Sequence, residues 1–272
     1  MDIMNINKQR VHELLEQDKR LDGRKLFEHR DISIETGLSI NAEGTARVRI
    51  GKTEVIVGVK MDTQEPYTDH EDEGTMVVGM EFSPTAGERY ESGPPRIDAI
   101  EVARVVDRGI RESGFIDFDK LCIKAGEKVW NVYVDLYAVN DAGNLMDVAA
   151  LAALVALANA KIPYLTAEEK IDKEKGLSKD SLPLNKDAMA FNITLHKIGD
   201  QIVVDPISEE EEISDYRISL AVCSNNGKAR ITSMQKGKEG AITSEEMEKI
   251  LNLVELKFEE MYLEIQKKVF KS

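Results

Sequence analysis

Apolar residues along this chain change their spacing several times, and each change predicts a new element. In residues 31–36, 46–50 and 54–60 β-branched and polar positions alternate, and the runs are separated by Gly37, Glu43-Gly44 and Gly51-Lys52. Period-two alternation broken by glycine turns predicts an antiparallel meander. A polar, acidic loop at 69–74 leads to a further strand at 76–82. The segment 83–95, with Gly87, Gly93 and Pro94-Pro95, then stops the strand, and Pro95 suits the first turn of a helix. From Arg96 to Arg111, RIDAIEVARVVDRGIR, the period becomes 3.6. Ala99, Val102, Ala103, Val106 and Ile110 collect on one side. Arg104, Arg108 and Arg111 fall within about 60° of one another on the opposite side.

The remaining pattern repeats this logic. Residues 129–139 alternate as a strand, Asp141-Ala142-Gly143-Asn144 turns the chain, and 145–160 is apolar almost all round. Such a helix belongs between layers, and with Asp147 inside it is too short and too polar to span a membrane. A charged stretch at 167–183 containing Gly176 reads as a connection. Strands follow at 188–197, 201–205, 216–224 and 229–236, then a long helix at 243–270. Thr243 and Glu246 form its capping box, with Leu251, Val254, Leu256, Phe258 and Tyr262 as expected core contacts. At the start, Ile6, Val11, Leu14 and Leu15 mark a short amphipathic helix over 6–16, ended by the Asp22-Gly23 turn. The sum is an α+β protein with an internal pseudo-repeat of two sheet-and-helix lobes. It divides as an N-terminal helix and arm (1–29), a first lobe (30–166), a connection (167–187) and a second lobe with the C-terminal helix (188–272).

Composition narrows the chemistry. No run of apolar residues is long enough for a membrane span and the start is polar and acidic, which predicts a soluble intracellular protein. Cys122 and Cys223 are far apart, and His12, His29, His70 and His196 are scattered, so neither a disulfide framework nor a metal centre is expected. Gly51-Lys52-Thr53 resembles the end of a phosphate-binding loop, but Ala46 stands where that motif needs glycine, so a hairpin turn is expected. With 50 acidic and 36 basic residues, the net charge of −14 disfavours broad polyanion binding and confines any such contact to a few residues. The arginine stripe therefore admits two readings. It is either an anion site or the cationic half of a salt-bridge ladder, for which Asp107 and Glu112 stand at the right spacing.

Five segments carry a family resemblance in a fixed order: RLDGR at Arg20, GKTEVIVGV at Gly51, the helix AIEVARVVDRGIRES, the run WNVYVDLYAVNDAGNLMDVAALAAL and DPISEEEEIS at Asp205. Together they resemble the RNase PH family, and most of all the non-catalytic RNase PH-type ring subunit of the archaeal exosome. The resemblance implies an RNase PH-like fold of two lobes (ribosomal protein S5 domain 2-like). It also implies phosphorolysis of RNA from its 3′ end, with inorganic phosphate attacking the terminal phosphodiester and releasing a nucleoside diphosphate. The implied partners are a catalytic RNase PH-type subunit in a hexameric ring of three heterodimers, RNA-binding cap subunits and single-stranded RNA. A cytoplasmic location is expected, with no cofactor and no membrane.

Departures from the family pattern indicate the kind of subunit. Active members resemble D-G-G-T-R-T-A at the turn into the buried helix, where backbone N–H groups and an arginine hold phosphate. Here the run is Asp141-Ala142-Gly143-Asn144-Leu145-Met146-Asp147, without the arginine and with an acid nearby. Active members also place two aspartates a short loop apart in the second lobe, usable for general acid work or metal binding. This chain has Glu209 to Glu212 and Asp215, readable as a metal-binding remnant or, preferably, as an exposed acidic turn at a helix start. No catalytic and no metal residue is therefore assigned. In the family the arginine-bearing helix lines the cleft between subunits where the RNA end lies, so the resemblance makes Arg104, Arg108 and Arg111 candidate phosphate contacts. Arg89 and Arg96, flanking the Gly-Pro loop, are weaker candidates, suited equally to subunit contacts. The expected role is a structural and RNA-binding subunit that helps shape its partner's active site. Its rivals are an independently active phosphorolytic exoribonuclease and a pure ring scaffold.

Overall fold

A computed structural model describes residues 3–225 and 227–270. The side chain of Ile6 and the outermost residues of both end segments lie outside the described residues. The chain runs α1 (Ile3–Leu15), β1 (Ile32–Thr36), β2 (Gly44–Ile50), β3 (Thr53–Gln64), β4 (Thr75–Phe82), α2 (Ile97–Arg111), β5 (Cys122–Lys124), β6 (Lys128–Asn140) and α3 (Leu145–Asn159). It continues through β7 (Lys161–Pro163), β8 (Leu177–Ser181), β9 (Ala190–Ile198), β10 (Gln201–Val204), α4 (Ser208–Ile213), β11 (Tyr216–Asn225), β12 (Lys228–Gly237) and α5 (Ser244–Val269).

The alternating runs form the expected antiparallel meander, β1-β2-β3, with β6 added antiparallel to β3. Gly51 takes φ +58° in the β2–β3 hairpin, as a turn and not a phosphate loop. Strand β4 closes this sheet on the far side and runs parallel to β6, because α2 carries the chain over between them. The second sheet has the order β10-β9-β11-β12. Helix α3 packs on β2 and β3 of the first sheet and on β9 of the second, while α2 touches β4 and β12. Both helices thus lie against both sheets, and one apolar cluster runs through all of them. Every α3 residue from Leu145 to Leu157 is buried, which is why its sequence lacks a polar face.

Three details depart from the sequence reading. Pro95 lies outside α2, one residue before the Arg96 cap, where its missing N–H is equally harmless. Leu251 and Leu256 are exposed, since the buried stripe of α5 is Ile250, Val254, Phe258, Ile265 and Val269. The segment 167–187 is not featureless, because β8 pairs with β7.

Although first in sequence, α1 joins the second sheet: Val11 and Leu15 pack with Leu26, Ile198 and Val203. The arm behind it is fastened by charge. Arg20, 2% exposed, donates to Glu210 Oε1 at 2.9 Å and to the carbonyls of Val204 and Asp205 at 2.8 and 2.9 Å. Arg24 and Arg30 donate to the carboxylate of Asp205 at 2.9 and 2.6 Å. Arg30 also reaches the carbonyls of Ala142 and Gly143, both at 3.0 Å, so the same cluster fixes the turn into α3.

Candidate functional site

That turn forms one wall of a cleft of about 750 Å³ between α2, α3 and α4. Its shape follows from short-range constraints. Gly143 takes φ +90°, and a Cβ there would lie 2.5 Å from the Pro206 carbonyl, so only glycine fits. Thr53 donates to the Gly143 carbonyl at 2.6 Å, and Asn144 enters the left-handed region as the α3 cap while its amide donates to Asp205 at 2.7 Å. The side chain after the cap is Leu145, not a cation, and the Asn144 backbone N–H donates to Glu211 Oε1 at 2.8 Å. The amide that a helix N-terminus would offer to an external anion is thus filled by a carboxylate of the same chain.

The cleft is acidic. Asp141 accepts from Arg89 at 2.7 Å and from the Tyr90 hydroxyl at 2.6 Å, and Tyr90 stacks on Phe82 with ring centroids 4.2 Å apart. Burial raises Glu211 to about 7, an effect only partly offset by the Asn144 N–H. His196 lies 3.9 Å from Glu211, and burial holds its imidazole neutral, far below its usual range. Asp147 is not the repelling acid of this cleft. It is buried against β9, where the Thr194 hydroxyl and N–H donate to it at 2.6 and 3.0 Å, and burial raises it to about 7.

The glutamate run is not an exposed turn throughout. Glu209 and Glu212 face solvent, Glu211 enters the cleft and Glu210 is fully buried in its ion pair with Arg20. The helical period of α4 divides neighbouring glutamates between water, site and core. Among the described residues, no group of three or more His, Cys, Asp and Glu side chains is arranged to hold one metal ion.

The α2 arginines separate into two kinds. Arg111 pairs with Asp107 at 2.7 Å, donates to the Met76 carbonyl at 2.7 Å and lies over the Phe118 ring. Asp107 further raises the guanidinium pKa. Arg104 and Arg108 have no ion pair among the described residues and line a second groove, of about 820 Å³, between α2 and β12. Ile97, Ile100 and Met234 give that groove an exposed apolar rim. Spacing along the helix aligned three side chains, but the long Arg111 side chain swings to β4. Of the weaker candidates, Arg89 is committed to Asp141 and Arg96 pairs with Glu91 at 2.7 Å.

Residues 28–163 match the model of the 3′ exoribonuclease family, domain 1, and residues 188–253 match its domain 2. The chain belongs to the RNase PH family of 3′ exoribonucleases. It is 42% identical over 256 residues to the exosome complex component Rrp42 of Methanocella arvoryzae, with 94% of each chain covered. The Rrp42 of Methanothermobacter thermautotrophicus is 42% identical over 257 residues, covering 93% of this chain and 92% of its own. Among solved structures, a chain of the Archaeoglobus fulgidus exosome with RNA bound to the active site superposes with a TM-score of 0.84 at 37% identity. That match covers 96% of this chain and 99% of the other. A chain of an archaeal exosome core gives 0.82 at 34% identity, covering 99% and 98%.

Within this RNase PH-family fold, several cleft residues carried no sequence signal of their own. His196 sat in an ordinary alternating strand, and Glu211 within an apparently solvated acidic run. They meet because Asp215, after α4, donates its N–H to the Lys197 carbonyl at 2.7 Å and brings α4 against β9. The DAGN turn and the glutamate run were the only available pointers.

Proposed function

We propose that this chain is a non-catalytic subunit of an archaeal-type exosome, a phosphorolytic 3′-to-5′ exoribonuclease complex. In this reading it alternates with a catalytic RNase PH-type partner in a cytoplasmic hexameric ring of three heterodimers that carries RNA-binding caps. It binds single-stranded RNA and shapes the partner's active site. The observation that carries the reading is the Asn144 N–H to Glu211 contact, beside Leu145 where active members resemble an arginine clamp. A phosphate entering there would have to displace a carboxylate and would find no guanidinium. The chain's similarity to exosome Rrp42 components along nearly its whole length supports the assembly.

The RNA contacts proposed are Arg104 and Arg108, which are exposed and have no ion pair among the described residues, with Arg111 set back against Asp107. A guanidinium fork on the sugar-phosphate backbone reads no sequence, as suits degradation of arbitrary RNA. The test is a phosphorolysis assay with RNA and inorganic phosphate. The chain alone should release no nucleoside diphosphate, and addition of the catalytic RNase PH-type subunit should start release. Release by the chain alone would overturn the reading.

A further inference from the structure

The cleft beside α3 holds more negative charge than its cations neutralise. Of its six carboxylates, Glu101 is matched by Arg217 at 2.6 Å and Asp141 by Arg89 at 2.7 Å. Lys238, the third cation, donates to the backbone carbonyls of Glu211, Glu212 and Ser214. Glu88, Asp98 and Glu212 have no ion pair among the described residues, and no cation among them lies within 4.0 Å of the Glu211 carboxylate, which Arg89, Arg217 and Lys238 reach only at longer range; the neutral His196 stands 3.9 Å away.

Two buried side chains in the wall add unsatisfied acceptors. Asn144 is 1% exposed, and its Oδ1 has no hydrogen-bond partner among the described residues. The amide cannot usefully flip, because its Nδ2 donates to Asp205 at 2.7 Å. His196 is 2% exposed, and its Nε2 is likewise unpartnered. The tautomer follows from Ser214, whose single hydroxyl proton goes to the Glu211 carbonyl at 2.8 Å. At 2.9 Å from His196 Nδ1 the hydroxyl oxygen must therefore accept, which puts the imidazole proton on Nδ1 and leaves Nε2 a bare lone pair. Nε2 and Glu211 Oε1 are 3.9 Å apart, too far to bond one another. An ammonium nitrogen placed roughly 2.8 Å from each would bridge the two acceptors.

We infer that this cleft binds a small organic polyammonium ion, one ammonium group seated between His196 and Glu211 and the rest of the ion drawn by Glu88, Asp98 and Glu212. Phosphate is disfavoured by the same carboxylates. A single metal ion would need ligands that converge, whereas these acids are dispersed, and separated ammonium groups match dispersed acids. The raised Glu211 carboxyl belongs to the same picture, as an acid whose burial outweighs the Asn144 N–H and the more distant charges of Arg89 and Arg217. The inference goes beyond ring membership and does not require it.

The experiment is calorimetric titration of the full chain with spermidine at fixed ionic strength, with magnesium and inorganic phosphate titrated in parallel. Spermidine should saturate one site per chain. Glu211→Gln should weaken it by about tenfold or more, the scale of one lost charge-assisted hydrogen bond. Glu88→Gln, at an exposed rim position, should weaken it by a smaller factor and keeps the test decisive if Glu211→Gln fails to fold. Glu127→Gln, at the opposite end of β6 from Asp141, should change nothing. Unsaturable binding, equal losses in Glu127→Gln and Glu211→Gln, or tight phosphate binding would overturn the inference. So would a magnesium site with the same dependence on Glu211.

Discussion

The backbone N–H of Asn144 donates to Glu211 Oε1 across 2.8 Å, so a side chain from α4 fills the amide that opens α3. The contact favours the carboxylate, yet burial outweighs it and Glu211 is raised from 4.5 to about 7. The sign follows from linkage. Between these values the unfolded chain has released a proton that the folded chain retains, so stability falls as pH rises, and above 7 the full cost is present. Glu211→Gln keeps an acceptor for Asn144 and removes that cost. Its advantage over the parent should be on the order of 2 kcal/mol at pH 8 and should shrink towards pH 5, read as a difference in thermal midpoint. Asp147, also raised to about 7, titrates in both proteins and cancels in the difference. An advantage that does not change with pH would show that Glu211 is not desolvated.

Asp205 works in the opposite sense. Burial alone would raise its carboxyl, but the hydrogen bond and charge of Arg30 hold it far below the usual carboxylate range. Its stabilisation is therefore present above about 3.8, the unperturbed value, and is lost as pH falls through and below it. Asp205→Asn leaves Arg24 and Arg30 facing a neutral amide and should cost about 3–5 kcal/mol at neutral pH, measured by urea unfolding. The cost should diminish in acid. A loss below about 1 kcal/mol would show that this cluster is not what docks the arm.

Legibility in the sequence tracks the range of the interaction. Helix α2 was readable because Ala99, Val102, Ala103, Val106 and Ile110 are spaced by the helix itself, and all are buried. The hairpin at Gly51 was readable because a turn is local. The burial of Glu210 was not, since its partner Arg20 lies 190 residues away. Arg111 was legible only in part: its pairing with Asp107 follows from helical spacing, while its reach to the Met76 carbonyl and Phe118 depends on how α2 packs on its neighbours. The turn at 141–147 could be recognised from its motif, but the presence of Glu211 in it depends on how α4 packs on β9.

The close approach of α3 to the first sheet rests on Gly44. A Cβ there would overlap the Ala156 carbonyl oxygen and lie 2.8 Å from Ala160 Cα, both backbone atoms that cannot rotate away. Gly44→Ala should therefore force helix and strand apart, at about 1–3 kcal/mol by overpacking. Gly58→Ala, on the neighbouring strand with nothing within 4 Å of its Cβ position, should cost much less and serves as the control. Equal denaturation midpoints for the two variants would place the tight contact elsewhere.

The two kinds of α2 arginine should separate experimentally. Each phosphate contact to single-stranded RNA contributes roughly 0.7 to the slope of log affinity against log salt. Arg104→Ala with Arg108→Ala should lower the slope of the assembled complex by about 1.4 and weaken binding to all sequences alike. Arg111→Ala should leave the slope nearly unchanged, because that guanidinium is already spent on Asp107 and the Met76 carbonyl. It should instead lower stability by about 1 kcal/mol, the worth of one hydrogen bond. Filter binding at several salt concentrations, paired with thermal melts, reads both. A slope that falls only in Arg111→Ala would reverse the assignment, and a slope unaltered in either variant would leave α2 a structural helix.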